Sequence, residues 1–594
     1  TLWTGAALPQ GQIVDVSPDG RSVLYTRREP DGALVLRDVA TGADRRLTTT
    51  AAPQTNEHAE YAVSASFSRD GRRVAYNWRI QERRPLRIAD ELRMIDLSQP
   101  AVPTPRVLFR DENTEGYGVR PLDWFPDDER IGVLIGHGGD RTRQLGFVSV
   151  RDGKLSVLRS LDWRNANGVS LSPDGRFVAY DLPPDDTNGQ RDVFVLATDG
   201  SRQAAAVDGP TRDEVVAWSP DGTRLLFLRD RHQLWAQPMS DGRPVGPASM
   251  LKADARGTHY RVAATGDLFE FAEIDDRAFY RVPVDFATGR SLGPPAAVAG
   301  LWPAAFVADW SPDGRSMASM YGIAGDLVMS IQSLETGSAH VLSLPLSFFD
   351  NNNFQWMPDG RALLARAAAM NGRLGFYRID VADGSVTPLL LPPGEGNYTR
   401  PQLSPDGRTL YYIKAGDRPA GAGGSPGPAG RFFVERDLAT GREREIVKLD
   451  RPNLAYGAIS PDGKFIGAMN FSERDGNRPT ANADWIFSVI STIDGTEREV
   501  FRAKAPVEFL AGPPVEWSRD GRFMVVRKVV GASHEVWSIP VGGGEPRKLD
   551  LGISNYTGKQ VRISPDGQEI VVQGGSSIRR EVRIVERFLP PAKR

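Results

Sequence analysis

An all-β chain of twelve four-stranded blades, arranged as two tandem β-propellers, is the architecture that the sequence predicts from three observations. A Ser-Pro-Asp-Gly stretch or a recognisable variant begins at Ser17, Ser68, Phe125, Ser172, Ser219, Ala263, Ser311, Met357, Ser404, Ser460, Ser518 and Ser564, at intervals of 44 to 58 residues. Such a period belongs to propellers and solenoids. Short apolar or alternating runs flank each copy, such as residues 214–219 (EVVAWS) before one turn and 224–229 (RLLFLR) after it, and both read as strands. A second turn follows, as at Thr41-Gly42, Asp199-Gly200, Asp383-Gly384 and Asp494-Gly495, so each repeat carries four antiparallel strands. Helical periodicity is nearly absent.

The recurring quartet is a hairpin turn for physical reasons. Proline presets its backbone angle, aspartate bonds to the backbone just ahead, and glycine accepts a left-handed conformation without steric cost. Its aspartates are therefore read as turn chemistry. The turn recurs because one sheet cannot bury both of its faces alone, whereas sheets stacked around an axis cover one another.

Twelve blades in one ring would leave a wide hole, so two rings are expected. A division into six and six places the first propeller at residues 1–300 and the second at 301–594, with the boundary near Leu301 after the proline-rich 292–300; five and seven is the other arrangement. The twelfth repeat stops after residues 581–588 (EVRIVERF), one strand short, and Thr1 to Gly5 is expected to supply that outer strand and join the ends. Two insertions, 414–431 and 470–485, fall between the second and third strands of adjacent repeats and decorate one rim.

Composition narrows the function. Seventy-three basic against 75 acidic residues give a formal charge of -2 with no long run of either sign, which removes the footprint of a nucleic-acid binder. No stretch approaches the length of a membrane-spanning helix. The chain has no cysteine, which excludes disulfides, thiolate catalysis and cysteine-ligated metals. It begins at Thr1 rather than methionine, which fits a removed signal peptide or a trimmed chain; a periplasmic or extracellular location is the expectation, with the cytoplasm as the alternative.

The repeats resemble the WD40-like (PD40), TolB-type β-propeller repeats of bacterial proteins, in which an aromatic or small residue precedes Ser-Pro-Asp-Gly-Arg/Lys and an apolar run. Residues 218–224, 310–315 and 171–176 carry the likeness most closely, the other copies more loosely, and it spans essentially the whole chain. The stretches 160–164 (SLDWR) and 191–202 (RDVFVLATDGSR) also resemble longer bacterial repeat proteins of this kind. The resemblance implies a fold and a general role, a rigid platform that binds proteins or ligands, and no reaction. TolB carries a separate N-terminal domain for which these repeats leave no room, so its particular partners are not carried over. Prolyl-oligopeptidase-type peptidases also carry such propellers, but their hydrolase domain needs a Gly-x-Ser-x-Gly elbow, and the chain has none.

Local catalytic motifs are missing. The six histidines, His58, His137, His232, His259, His340 and His534, include no pair at metal-ligand spacing, and neither a metal nor a cofactor is expected. The glycine-rich 136–140 (GHGGD) reads as a hairpin loop, and 181–192 (DLPPDDTNGQRD) as a solvated acidic loop lacking the spacing of a calcium site. The candidate site is instead a ring of side chains just before the first strands, where crossing loops gather at one channel mouth: Tyr117, Arg120, His259, Tyr260, Arg261, Trp302, Asn397, Tyr398, Arg400 and Tyr456. Tyr, Arg and Asn are typical recognition residues; the alternative is that they fill space where a loop meets a strand. The function expected is a non-catalytic platform binding a protein or peptide partner in the bacterial cell envelope. The alternative is an enzyme of carbohydrate lyase or hydrolase type, with acid and base drawn from different blades and Asp213, Glu214, His259, Tyr260 and Arg261 as candidates. A channel carboxylate or histidine with a strongly shifted pKa beside Tyr or Arg would favour the enzyme.

Overall fold

The computed structural model describes residues 2–3 and 11–589 apart from the connecting segments 28–31, 51–57, 84–85, 100–101, 113–117, 137–141, 163, 185–189, 231, 256, 258, 276–277, 299–304, 324–325, 343, 349–353, 370–372, 393–397, 416–430, 450–455, 476–477, 481, 510–514, 531–532, 554–555 and 575–577. The described residues are strand, turn and loop throughout. Their strands form twelve sheets of four antiparallel positions and one two-stranded ribbon, Arg474–Asp475 with Arg478–Pro479, inside the second insertion. In three sheets one position is filled by two short segments, as Leu346–Ser347 and Phe354–Trp356 both pair with Ala362–Ala369.

Each Ser-Pro-Asp-Gly copy is the hairpin that the sequence predicts. In the first copy Ser17 Oγ donates to Asp19 Oδ1 (2.6 Å), the Arg21 and Ser22 amides donate to Asp19 Oδ1 (3.0 Å) and Ser17 Oγ (2.9 Å), and Gly20 N donates to Ser17 O (2.9 Å). The final residue is left-handed in all twelve copies, including Asp128 (φ 53°), the one copy without glycine there. The motif aspartates are thus engaged with their own turns.

The sheets are fastened to one another through the innermost strand. Two residues before the first turn residue stands a side chain that reaches the next sheet: Phe67 N donates to Asp15 Oδ2 (2.8 Å), Leu171 N to Asp123 Oδ2 (3.2 Å), Trp356 N to Asp309 Oδ2 (2.9 Å) and Ile459 N to Gln402 Oε1 (2.8 Å). Several indoles return the contact, with Trp124 Nε1 donating to Ser66 O (3.1 Å) and Trp517 Nε1 to Ala458 O (2.8 Å). Apolar clusters fill the space between adjacent sheets, such as Leu24, Leu34, Phe67, Val74, Tyr76 and Trp78 between the first two. Each fully buried large side chain contributes roughly 1.5–3 kcal/mol.

The innermost strands touch in two closed series of six. Gly11–Val16, His58–Phe67, Gly118–Trp124, Val169–Leu171, Asp213–Trp218 and His259–Val262 form one ring, the last returning to the first. The sheets begun by Ala305–Trp310, Phe354–Trp356, Tyr398–Leu403, Tyr456–Ile459, Glu516–Trp517 and Tyr556–Ile563 form the other. Two sheets cross the expected boundary at residue 300. In the sixth sheet of the first ring, Leu268–Asp275 pairs with Ile578–Val585 from near the end of the chain, and Leu2–Trp3 adds the outer strand. In the sixth sheet of the second ring, Glu569–Gly574 pairs with Ala278–Pro283, and Ala296–Ala297 is outermost. The N-terminal segment therefore does supply an outer strand beside residues 582–583, as expected, but it completes the sheet that carries the Ala263 turn rather than the Ser564 turn. The two sheets have exchanged their outer strands.

One antiparallel pair of segments consequently runs through both rings. Leu268 lies opposite Val585 and Asp275 opposite Ile578, and the pairing resumes with Ala278 opposite Gly574 and ends at Pro283 opposite Glu569. Val582 completes the core that closes the first ring with Val16, Val23, Tyr25, Phe269 and Phe271, while Phe279 joins Val571, Ala308, Trp310 and Met317 in closing the second. Because neither ring closes without strands from the distant half of the chain, thermal unfolding should show one calorimetric transition, and removal of residues 1–8 should lower that transition as a whole. Two resolved transitions, only one of them moved by the truncation, would contradict the coupling.

Candidate functional site

The first ring gathers charge on its axis. His259 and Arg261 lie two apart on one innermost strand and so share a face. The Arg261 guanidinium spans the closing seam of the ring: Nε donates to Asp15 Oδ1 (3.3 Å), Nη2 to Val14 O (3.2 Å) and Nη1 to Tyr260 O (3.0 Å). From the third sheet, opposite in a ring of six, Arg120 enters the same electrostatic neighbourhood; its Nη2 lies 3.5 Å from Ala166 O, and its buried Nε has no hydrogen-bond partner among the described residues.

Burial dominates the protonation of this group. It pushes the Asp15 carboxyl up to about 6 against the opposing pull of Arg261 and of the Phe67 and Val16 amides. Burial, with the positive fields of Arg261 and Arg120, pushes the His259 imidazole down to about 4, so that it is neutral near pH 7. Burial and the field of Arg261 likewise bring Arg120 down to about 10, with Asp181 pulling the other way.

The second ring repeats the seam with a different balance. Arg562 occupies the place of Arg261, its Nε 3.3 Å from Asp309 Oδ1, and its Nη1 also bonds Glu516 Oε1. Burial raises both Asp309 and Glu516, and Arg562 opposes it in each case. One guanidinium therefore answers two carboxylates. Elsewhere in the first ring several buried carboxylates are also matched: Arg79 with Asp90 (2.9 Å), Arg229 with Asp213 (2.9 Å), Arg212 with Glu214 (2.6 Å), and Arg191 Nε with Asp181 Oδ1 (2.7 Å). Asp181 also accepts from Gly168 N (2.7 Å) and Val215 N (3.0 Å), fastening the fourth sheet to the fifth. It is a structural strand residue and not part of a solvated loop.

Of the ten residues expected at a common mouth, Arg120, His259 and Arg261 come together. Tyr260 points away from them: it is 3% exposed, packs with Leu226, Leu228, Leu234 and Leu268, donates to Glu270 Oε1 (3.1 Å) and accepts from Gly257 N (2.7 Å). Tyr398 is 5% exposed between Phe376 and Tyr412, with ring centroids 6.4 and 5.1 Å away. For these two, alternation along the strand places the ring in the core, and the space-filling alternative holds. Arg400 sits in a bulge of the second ring with φ 60°, and Tyr456 pairs opposite Met469 in its own sheet. Tyr117, Trp302 and Asn397 lie outside the described residues, as do most of the 136–140 loop and residues 185–189. Asp15, Asp309, Glu516 and Arg562 were not anticipated. Their signal was present: all stand at the same offset before a turn, where an inward-facing strand residue has no reason to be charged unless it is paired.

No group of three histidine or carboxylate side chains among the described residues is placed to hold a metal ion. No helix of the described residues is long and apolar enough to cross a membrane.

Two rings of four-stranded sheets, each fastened around an axis, define a tandem β-propeller. No family model matches the chain. An uncharacterized protein of Agrobacterium fabrum is 26% identical over 211 residues, covering 34% of this chain and just under two thirds (66%) of that protein. TolB from Acinetobacter baumannii is similar over 70% of this chain and 79% of its own at 14% identity and a TM-score of 0.25. Oligogalacturonate lyase from Vibrio parahaemolyticus is similar over 72% and 98% at 9% identity and a TM-score of 0.29. The sheets of the chain itself, rather than these distant likenesses, establish the class.

The shifted pair at the first seam gives two opposite pH dependences. Unfolded His259 takes a proton near 6.5 but the folded side chain only near 4, so its share of stability is lost as pH falls through that window. Folded Asp15 keeps a proton up to about 6 but releases it near 3.8 when unfolded, so its share is lost as pH rises between those values. Relative to wild type, His259→Gln should gain stability as pH falls and Asp15→Asn as pH rises, each by up to about 3 kcal/mol. Urea denaturation at both ends of the window measures this, and identical slopes in all three proteins would refute it.

A second expectation concerns the second seam. Arg562→Met leaves Asp309 and Glu516 buried without their cation and should cost about 3–5 kcal/mol, read from the urea midpoint. A midpoint unchanged from wild type would refute it.

Proposed function

We propose that this chain is a non-catalytic platform whose two propellers bind a protein or peptide partner in the bacterial cell envelope. One observation carries the reading. The most strongly charged channel positions recur in both rings as the same fastening, Asp15 with Arg261 and Asp309 with Arg562, each aspartate also accepting a backbone amide of the next sheet. Groups held this way serve the architecture, and a shape stiffened all round its axis suits recognition, because a preformed surface loses little freedom on binding.

A second reading draws on the first ring alone. A carboxyl raised to about 6, a neutral imidazole and an arginine in one channel are the ingredients of proton transfer, as in an enzyme of carbohydrate lyase or hydrolase type. The experiment that separates the two is affinity capture from the source cell's envelope and soluble fractions, reconstitution of the complex from purified components, and a parallel assay of turnover on an oligosaccharide mixture. The platform reading expects a saturable complex and no turnover. Turnover that disappears in His259→Gln, with no reconstituted complex, would replace it with the enzyme.

A further inference from the structure

Arg120 differs from the other channel arginines described above. Arg79, Arg191, Arg212, Arg229, Arg261 and Arg562 each face a carboxylate within hydrogen-bond or ion-pair distance. Arg120 faces none among the described residues. The carboxylate in its field, Asp181, is already bonded to Arg191 and to three backbone amides, and the other charges around Arg120 are Arg261 and Arg143. A buried guanidinium nitrogen left without an acceptor is costly, and Arg120 Nε is one among the described residues.

His259 completes the arrangement. It makes no hydrogen bond to a described residue and stands on the face it shares with Arg261, whose three nitrogens bond Asp15, Val14 and Tyr260. A guanidinium with a buried unused Nε and a neutral imidazole able to donate thus act on one another in one channel, with a second guanidinium fixed beside the imidazole. We propose that the axis of the first ring is a carboxylate-binding site, in which Arg120 takes the two oxygens of a carboxylate and His259 donates to one of them, beside the positive charge of Arg261. One negative charge suits the site, because Arg120, with no carboxylate bonded to it among the described residues, offers one positive charge. Within the platform reading, on which this assignment rests for its source, the carboxylate belongs to a peptide, at its C-terminus or on an acidic side chain.

The test uses the full chain and two probes. Malonate monoanion, added while the histidine resonances are titrated, should raise the pKa of His259 in the wild type and leave it unmoved in Arg120→Gln, with Arg120→Lys intermediate; the His259→Gln spectrum assigns the signal. Peptide pools with free and with amidated C-termini are then compared for retention, which Arg120→Gln should weaken roughly tenfold to a hundredfold. Loss of retention on amidation identifies a C-terminal carboxylate, and retention of acidic peptides from both pools a side chain. No malonate effect on His259, or one that persists in Arg120→Gln, overturns the carboxylate site. Peptide retention that does not depend on Arg120 overturns it while leaving the platform intact, and a malonate response without retention of either pool leaves the site but removes the platform reading.

Discussion

A ring of sheets must fasten its last member to its first, and the rest of this structure depends on that seam. Within a ring each sheet is covered by its neighbours through apolar side chains and an innermost residue that accepts an amide from the sheet ahead. At the seam the neighbours in space are far apart in sequence, so closing it costs loop entropy that local contacts do not meet. Both rings answer with the strongest pairing available to side chains, an arginine of the sixth sheet on an aspartate of the first, Arg261 on Asp15 and Arg562 on Asp309. The same two aspartates also accept the amides of Phe67 and Trp356, so each carboxylate holds three successive sheets at once.

The common offset that produces the seam also makes the rings chemically unlike. In the first ring the six positions read Asp15, Ser66, Asp123, Ser170, Ala217 and Arg261; in the second they read Asp309, Gln355, Gln402, Ala458, Glu516 and Arg562. The second set closes on itself, with glutamine bonding backbone and glutamate sharing the arginine. In the first, burial and the fields of Arg261 and Arg120 keep His259 neutral, while Arg120 keeps its charge. Architecture is thus conserved between the rings at one level of the channel while the charge left over differs.

Much of the fold was legible because its signals are local. Turn chemistry needs four residues, and the φ values of Gly20, Gly175 or Gly407 follow from the quartet around them. The strand count follows from alternation, and a missing final strand pointed to residues 1–5. The exchange of outer strands was not legible, because Ala278–Pro283 and Ile578–Val585 are both suitable third strands for either sixth sheet, and nothing in a single sequence states which edge each will meet. The site was half legible for a related reason. Proximity to a crossing loop brought Arg120, His259 and Arg261 into view, but it says nothing about which side of the strand a residue takes, and so it swept in Tyr260 and Tyr398, whose rings lie in the core. Repeat offset was the better guide, since it singles out Asp15 and Arg562 without reference to the loops.

The exchanged strands also set an order of events during synthesis. Five sheets of the first ring are complete once residue 252 has emerged, and the inner half of the sixth by residue 275, yet the strand that covers it begins at residue 578. At about 5–20 residues per second, the ribosome needs roughly 15–60 s to deliver it. For that interval the nascent chain carries an open ring with an unpaired sheet edge, a surface that invites mispairing. Emergence of residues 578–585, rather than completion of its own half, is the moment at which the first propeller can close.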